Sequence, residues 1–341
     1  MMPARAPHIV FITEGGPDVG LGHVSRCLSL ARAAEGGRVS FLVSGDDQVA
    51  ALLDGFPGEA VSSPWPVDPE GARQTVRRLA PDVIVVDSYA ASSEFLATLR
   101  AVAPVVAVDD LADRALPVDV VVNGGAGAER LPYERRPGTR FLLGPRYALL
   151  DPSYAEAPAR AGARRVSRVL VCLGGGRHVD GVLAALEAVD RALADCVVDV
   201  AAGPFGGSSM LDGAARDARN RVLIHRDRFG LRELMRGADV AVSGAGVTLC
   251  ELCATATPTV AVCMASNQRP NAAAFEEAGA ALVAGEAGAP GLADAIASAL
   301  GRLAADRALR AEVAARGRAL VDGRGAERVA RAIARPVEAR R

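Results

Sequence analysis

The sequence predicts an α/β protein of two doubly wound, Rossmann-like domains facing a central cleft. Three observations predict it. Apolar strand-like runs alternate with helix-like runs along nearly the whole chain, as parallel sheets covered on both faces require. The alternation breaks once, at 151–166, where Pro, Ala and Arg replace any apolar period, and then restarts. Both halves also open alike, with an apolar strand, a glycine cluster and a helix: FITEGGPDVGLGH in the first, VCLGGGRHVDG in the second. The domains are read as 1–150 and 167–341, the latter including the C-terminal helices, with 151–166 as linker.

In the first half, strands are expected at 8–12, 39–43, 82–87, 105–109, 119–122 and 141–143, and helices at 22–34, 46–54, 69–79 and 92–102. Gly36 and Gly37 follow the first helix, where a C-terminal stop belongs. In the second half, strands are expected at 168–173, 197–201, 221–225, 239–243, 259–264 and 281–284. The helices between and after them are expected at 180–193, 208–218, 231–237, 247–256, 270–278 and 291–303. The last 35 or so residues read as Arg-rich amphipathic helix with a solvated face.

Composition removes several function classes. The 341 residues carry a net charge of −1, so no basic field draws the chain to nucleic acid or an anionic membrane. No lysine occurs, which rules out Schiff-base or lysine general-base chemistry. No run approaches the roughly 18 apolar residues of a membrane span, and no leader is apparent, so the expected location is cytoplasmic. The six cysteines read as buried free thiols: Cys172, Cys196 and Cys263 in strands, Cys250 and Cys253 as core-facing members of a helical CxxC. HExxH, GxSxG, GxxxxGKS/T and zinc-spaced Cys/His sets are all absent, so no metal and no cofactor is expected.

Four groups of residues fall at the carboxyl ends of expected strands, where open α/β sheets bind ligands. The first is Gly20, Gly22 and His23, a glycine-rich turn that delivers an imidazole to the first turn of a helix. The helix dipole there favours its neutral, basic form. The second is Asp87-Ser88-Tyr89 and the third Asp109-Asp110, each after an apolar run. A carboxylate in such a place orients an imidazole, holds a sugar hydroxyl or simply caps a helix. The fourth runs from Ser243 through Gly246, Val247, Thr248 and Glu251 to Asn267, Gln268 and Asn271. It pairs a helix N-terminus suited to a diphosphate with a carboxylate for ribose hydroxyls and amides for phosphate or sugar oxygens. Gly174 and Gly175, in the second glycine cluster, either touch phosphate or allow a tight turn. His178 reads as a surface residue, Phe229 as core and His8 as structural.

These residues, in this order, resemble the PseG/SpsG family, best known for UDP-sugar hydrolysis in pseudaminic acid biosynthesis and grouped with the MurG-like, GT-B nucleotide-sugar enzymes. The likeness spans about residues 8–285. It rests on GxGHxxRCLxLA at Gly20–Ala31, Asp87-Ser88-Tyr89, Asp109-Asp110, Gly144 to Leu150, Gly246-Val247-Thr248, Glu251, Pro258 and Asn267-Gln268. The resemblance implies His23 as the base, Asp87 and Tyr89 lining the sugar pocket, and Gly246, Thr248 and Glu251 on diphosphate and ribose, with Asn267 and Gln268 closing the site. It also implies a UDP-linked sugar as substrate, cleaved with inversion and without metal. Two departures stand out. The family's R-x-D before the first glycine turn is Ile12 and Glu14 here, and its GGSDPxN loop reads GGGRHVDG. Transfer of the sugar to a small-molecule acceptor is therefore the alternative to hydrolysis, and nucleotide-sugar binding without catalysis a second one.

Overall fold

The computed structural model describes residues 7–34, 36–156, 164–174, 179–203, 209–226 and 230–339. Much of the expected linker, at 157–163, lies outside them, as do Gly175, Gly176, His178 and Phe229. The chain divides into two compact units: Met1–Gly124 with Ala128–Pro152 and Arg324–Arg341, and Gly125–Gly127 with Ser153–Gly323.

The first unit holds β1 (His8–Glu14), α1 (Gly22–Ala33), β2 (Arg38–Ser44), α2 (Asp47–Leu53), β3 (Glu59–Ser62), α3 (Pro69–Leu79), β4 (Val83–Asp87), α4 (Ser93–Arg100), β5 (Val105–Val108), β6 (Val120–Asn123) and β7 (Arg140–Leu143). Its seven strands form one parallel sheet in the order β3-β2-β1-β4-β5-β6-β7. Strand order reverses between β1 and β4, so their carboxyl ends, Glu14 and Asp87, border a topological switch point. Both faces of the sheet are covered, which is why β4 and β5 read as unbroken apolar runs. Asp46, Asp68 and Ser92 cap α2, α3 and α4 through their side-chain oxygens. The edge strand β3 has no sequence counterpart: Glu-Ala-Val-Ser is mostly exposed and carries no apolar alternation.

The second unit comprises β8 (Arg168–Cys172), α5 (Val179–Ala192), β9 (Val197–Ala201), α6 (Ser209–Asp217), β10 (Arg221–His225), α7 (Arg232–Gly237), β11 (Val240–Gly244), α8 (Val247–Ala254), β12 (Thr259–Cys263), α9 (Arg269–Glu277), β13 (Leu282–Glu286), α10 (Leu292–Ala305) and α11 (Arg307–Leu320). Its parallel sheet runs β10-β9-β8-β11-β12-β13, and the switch point falls between β8 and β11. Gly174 follows β8, and the turn to Gly246 follows β11, at this point. All six cysteines are free and buried, and Cys196 lies just before β9 rather than within it.

The C-terminal stretch is two helices, not one. It breaks after α11 near Gly323, whose φ of +79° suits glycine and whose Cα sits against Tyr154 and Ala155. The last helix, α12 (Gly325–Ala339), then belongs to the first unit, not to the 167–341 domain drawn from sequence. Ala326, Val329 and Ile333 are buried on its inner face, and Arg328 donates to the Arg146 carbonyl at 3.0 Å. A single break in the sequence pattern could not reveal this return. The helix is fitted closely: a Cβ on Gly325 would lie 2.6 Å from the Ala148 nitrogen. Gly325→Ala is therefore expected to destabilise the first unit by about 1–3 kcal/mol, read as a fall in the chemical-denaturation midpoint.

Candidate active site

In the first unit, β1 ends at Glu14 and the chain turns through Gly15–Leu21 before α1 begins. The turn closes on itself: the Gly16 and Gly20 amides donate to each other's carbonyls at 3.1 and 2.7 Å. Gly20 has φ +79°, so a side chain there is strained. Gly22 faces open space, and a Cβ at that position would meet nothing within 4 Å. This geometry delivers His23 to the first turn of α1, 5% exposed. Arg26, three residues on, shares its helix face.

Arg26 organises the site, although sequence reading passed over it as one more residue of a motif. Its Nε and Nη2 donate to the two Asp87 oxygens at 3.0 and 2.8 Å, and Nη1 donates to Asp110 Oδ2 at 2.7 Å. Arg26 and Asp87 are nearly inaccessible, with side chains 9% and 1% exposed. Burial opposes charge on Arg26, but Asp110 and Asp87 outweigh it and hold the guanidinium firmly protonated. Burial likewise works against the Asp110 carboxylate, yet Arg26 keeps it below the usual range. The i, i+3 spacing of His23 and Arg26 was the available sequence signal.

The remaining residues assemble around this pair. Tyr89 is 41% exposed, donates its hydroxyl to Asp110 Oδ2 at 3.1 Å and meets His23 edge-on, with ring centroids 4.6 Å apart. The Ser88 hydroxyl donates to Glu14 Oε1. Asp109 serves as a cap: its Oδ2 accepts from the Leu111 and Ala112 amides at 3.1 and 2.8 Å, and Oδ1 lies 3.2 Å from Arg114 Nη1. The structure thus brings Gly20, Gly22, His23, Asp87, Tyr89, Asp109 and Asp110 to the same end of the sheet. Asp87 is spent on Arg26, and the capping use of Asp109 prevails.

No carboxylate orients the imidazole, one of the roles open to the acidic residues from sequence. His23 Nδ1 is buried with no hydrogen-bond partner. Burial first, and then the Arg26 charge, push the His23 pKa down to about 4, with Asp110 and Glu14 pulling the other way. The ring is neutral at pH 7, with desolvation the chief cause. Ile12 is fully buried in the core cluster with Val10, Trp65, Ile84 and Val86. Glu14, two residues on and on the same strand face, ends β1 and takes the Ser88 hydroxyl.

In the second unit, β11 ends at Gly244 and the turn through Ala245 leads into α8. No side chain caps this helix, whose N-cap is Gly246. Gly246, Val247 and Thr248 are half-buried at its start. Gly244 packs so closely that a Cβ would lie 2.9 Å from the Leu173 carbonyl oxygen. The loop after β12 folds over the turn: Gln268 Nε2 would be 3.3 Å from a Cβ on Gly246, and Gln268 Oε1 accepts from the Met264 amide at 3.0 Å. Asn271 ties loops together, donating from Nδ2 to the Ala245 carbonyl at 2.6 Å and accepting at Oδ1 from the Ala126 amide at 2.7 Å. It clamps backbone, in contrast to the ligand role expected for it. Glu251 is half-buried on the next turn of α8, Asn267 half-buried in the β12–α9 loop, and Gly174 exposed after β8 with φ +113°. Among the described residues no group of three or more His, Cys, Asp or Glu could hold a metal ion, and no helix is long and apolar enough to cross a membrane.

Two Rossmann-like units with parallel sheets, each with a glycine-rich turn at its switch point, define the GT-B fold. The chain matches the crystal structure of Acinetobacter baumannii MurG with a TM-score of 0.67 at 16% identity, over 96% of this chain and 100% of that one. In sequence it is 25% identical over 333 residues to the spore coat polysaccharide biosynthesis protein SpsG of Bacillus subtilis, covering 94% of this chain and 96% of SpsG. It is also 23% identical over 278 residues to the uncharacterized protein MJ1062 of Methanocaldococcus jannaschii, over 76% of this chain but only 56% of that relative's length. No protein-family model matches the chain.

Proposed function

We propose that the protein cleaves the anomeric C–O bond of a nucleotide sugar, UDP-linked, with inversion, releasing the sugar and the nucleoside diphosphate. His23 carries this reading: a neutral imidazole on a glycine-rich turn at a switch point, its Nδ1 without a partner. Likeness to SpsG, a polysaccharide biosynthesis protein by name, supports the sugar chemistry.

In this reading His23 takes the proton of the attacking oxygen, water in a hydrolase. General-base help of this kind is worth about 10²–10⁴-fold. Tyr89 packs on the ring and fixes its plane, while Arg26 holds Asp110 under Tyr89. In the second unit, the uncapped start of α8 at Gly246–Thr248 offers N–H groups and the positive dipole end to the departing diphosphate. Glu251 takes ribose hydroxyls, and Gln268 and Asn267 close over the phosphates. Asp109 keeps the β5 loop in shape.

Time-resolved NMR with a panel of nucleotide sugars tests the reading. Release of free sugar with inverted anomeric configuration is expected. Binding without release, followed by turnover once an acceptor hydroxyl is added, would make the protein a transferase. A panel in which no nucleotide or nucleotide sugar binds would overturn the reading. Thr248→Val keeps the side-chain shape and removes one hydroxyl, so it is expected to weaken UDP binding about tenfold, measured by titration calorimetry.

A further inference from the structure

Tyr89 meets the His23 ring from an irregular loop, residues 88–92, between β4 and α4. Ser88 and Ala91 are buried in that loop, while Tyr89 between them is exposed. Buried carbonyls in a loop have no helix or sheet ladder to satisfy them and need donors from elsewhere. Arg114, from the segment after β5, supplies two. Its Nε donates to the Ala91 carbonyl at 3.0 Å and its Nη2 to the Ser88 carbonyl at 3.3 Å. One guanidinium thus straddles Tyr89 and grips the backbone on either side of it.

The guanidinium is itself held in place. Its Nη1 donates to Asp113 Oδ1 at 3.0 Å and lies 3.2 Å from Asp109 Oδ1. Asp109 is fixed in turn: its Oδ2 caps the Leu111 and Ala112 amides, and its carbonyl accepts from the buried Tyr133 hydroxyl at 2.8 Å. That hydroxyl accepts from Asn123 Nδ2, at the end of β6, at 2.9 Å. Through Asp109, Arg114 therefore joins the loop that carries Tyr89 to the carboxyl ends of β5 and β6. The bond from the Tyr89 hydroxyl to Asp110 fixes the tip of the side chain, and Arg114 holds its root. This task suits arginine, whose planar fork reaches two carbonyls and a carboxylate at once, as an ammonium does not. A further tie between the two loops, from the Ser93 hydroxyl to the Ala115 carbonyl at 2.5 Å, does not involve Arg114.

We propose that Arg114 is a positioning residue of the site: by holding the Ser88 and Ala91 carbonyls it keeps the Tyr89 ring against His23. Its effect on turnover rests on the nucleotide-sugar reading, whereas its effect on the two rings does not. NMR of the full chain without nucleotide tests the second. In the wild type, ring centroids 4.6 Å apart are expected to give proton contacts between Tyr89 and His23, and His23 to titrate at about 4. Arg114→Lys keeps the positive charge beside Asp109 and Asp113 but cannot grip both carbonyls, and Arg114→Met loses both functions. Each is expected to weaken the ring contact and, because burial is the main cause of the shift, to raise the His23 pKa from about 4 toward 6.5. Arg26, Asp110 and Glu14, which also act on the His23 charge, are retained in both variants. Tyr89→Ala is expected to raise the same pKa, and Arg114→Met to add nothing further in that background. A lowered denaturation midpoint with the ring contact and the His23 titration unchanged, or shifts that add in the double variant, would overturn the inference. Should Arg114→Met not fold, wild-type ring contact and titration in Arg114→Lys would do the same. With a donor that turns over, Arg114→Lys is expected to lower kcat about tenfold or more and to leave UDP binding within about twofold. Wild-type kcat in that variant would count against the inference, whereas a wild-type protein that binds no UDP would remove the nucleotide-sugar reading and leave the NMR result standing.

Discussion

Arg26→Met is expected to cost about 3–5 kcal/mol of stability and to abolish turnover. The guanidinium lies between Asp87, 1% exposed, and Asp110, and donates three hydrogen bonds to them. Removing it leaves Asp87 and Asp110 in a desolvated pocket, where burial lifts the Asp87 pKa to about 7 even beside Arg26, so Asp87 must take up a proton once the guanidinium is gone. Tyr89 loses its anchored acceptor, and the ring that packs on His23 is freed. Urea denaturation measures the stability loss. A second variant separates folding from function: adding Asp87→Asn to Arg26→Met removes the orphaned carboxyl and is expected to restore part of the stability while activity stays lost. Stability of the double variant no better than that of Arg26→Met would show that the pair is not coupled. Arg26→Lys is expected to fall short as well, because an ammonium cannot make the two-pronged contact with Asp87.

His23→Asn is expected to lower kcat by about 10²–10⁴-fold and to leave UDP binding within about twofold, since the diphosphate is assigned to the second unit. The wild-type pH profile of kcat/KM supplies the complementary reading. Burial and Arg26 hold the His23 pKa at about 4, so the basic form persists above that value. The limb that reports His23 is expected as pH drops through about 4, apart from any change near 7 where buried Asp87 titrates. A profile with no limb near 4 would mean that the essential group is not a buried His23. The same shift has a stability consequence with a definite sign. Between pH 6.5 and about 4 the unfolded chain binds a proton that folded His23 refuses, so stability declines as pH falls across that window. The difference amounts to on the order of 3 kcal/mol, and it should be absent in His23→Asn when denaturation at pH 7 and pH 4.5 is compared. Other carboxylates also respond in that range, so the wild-type-minus-variant difference is the quantity to read.

Strand and helix positions were largely legible because they follow from local pattern: apolar runs such as Val83–Val86 bounded by turn residues, and Asp46 or Ser92 at a helix start. The edge strand β3 was not, because an edge needs no apolar face of its own. The same division holds at the site. Strand carboxyl ends carry Glu14, Asp87 and Asp109-Asp110, so their neighbourhood was readable from element order alone. Which of them touch each other was not.

The sequence by itself determined the two parallel sheets, the glycine-rich turns at their switch points and the histidine at the first of them, since periodicity and chain order suffice for these. Tertiary structure alone decided that Asp87 and Asp110 serve Arg26 rather than His23, that Asn271 clamps backbone, and that the last helix returns to the first unit. The physical reason is that a carboxylate or amide takes whichever partner burial leaves within about 3 Å, and residues 61 or 84 positions apart meet only when the sheet has closed.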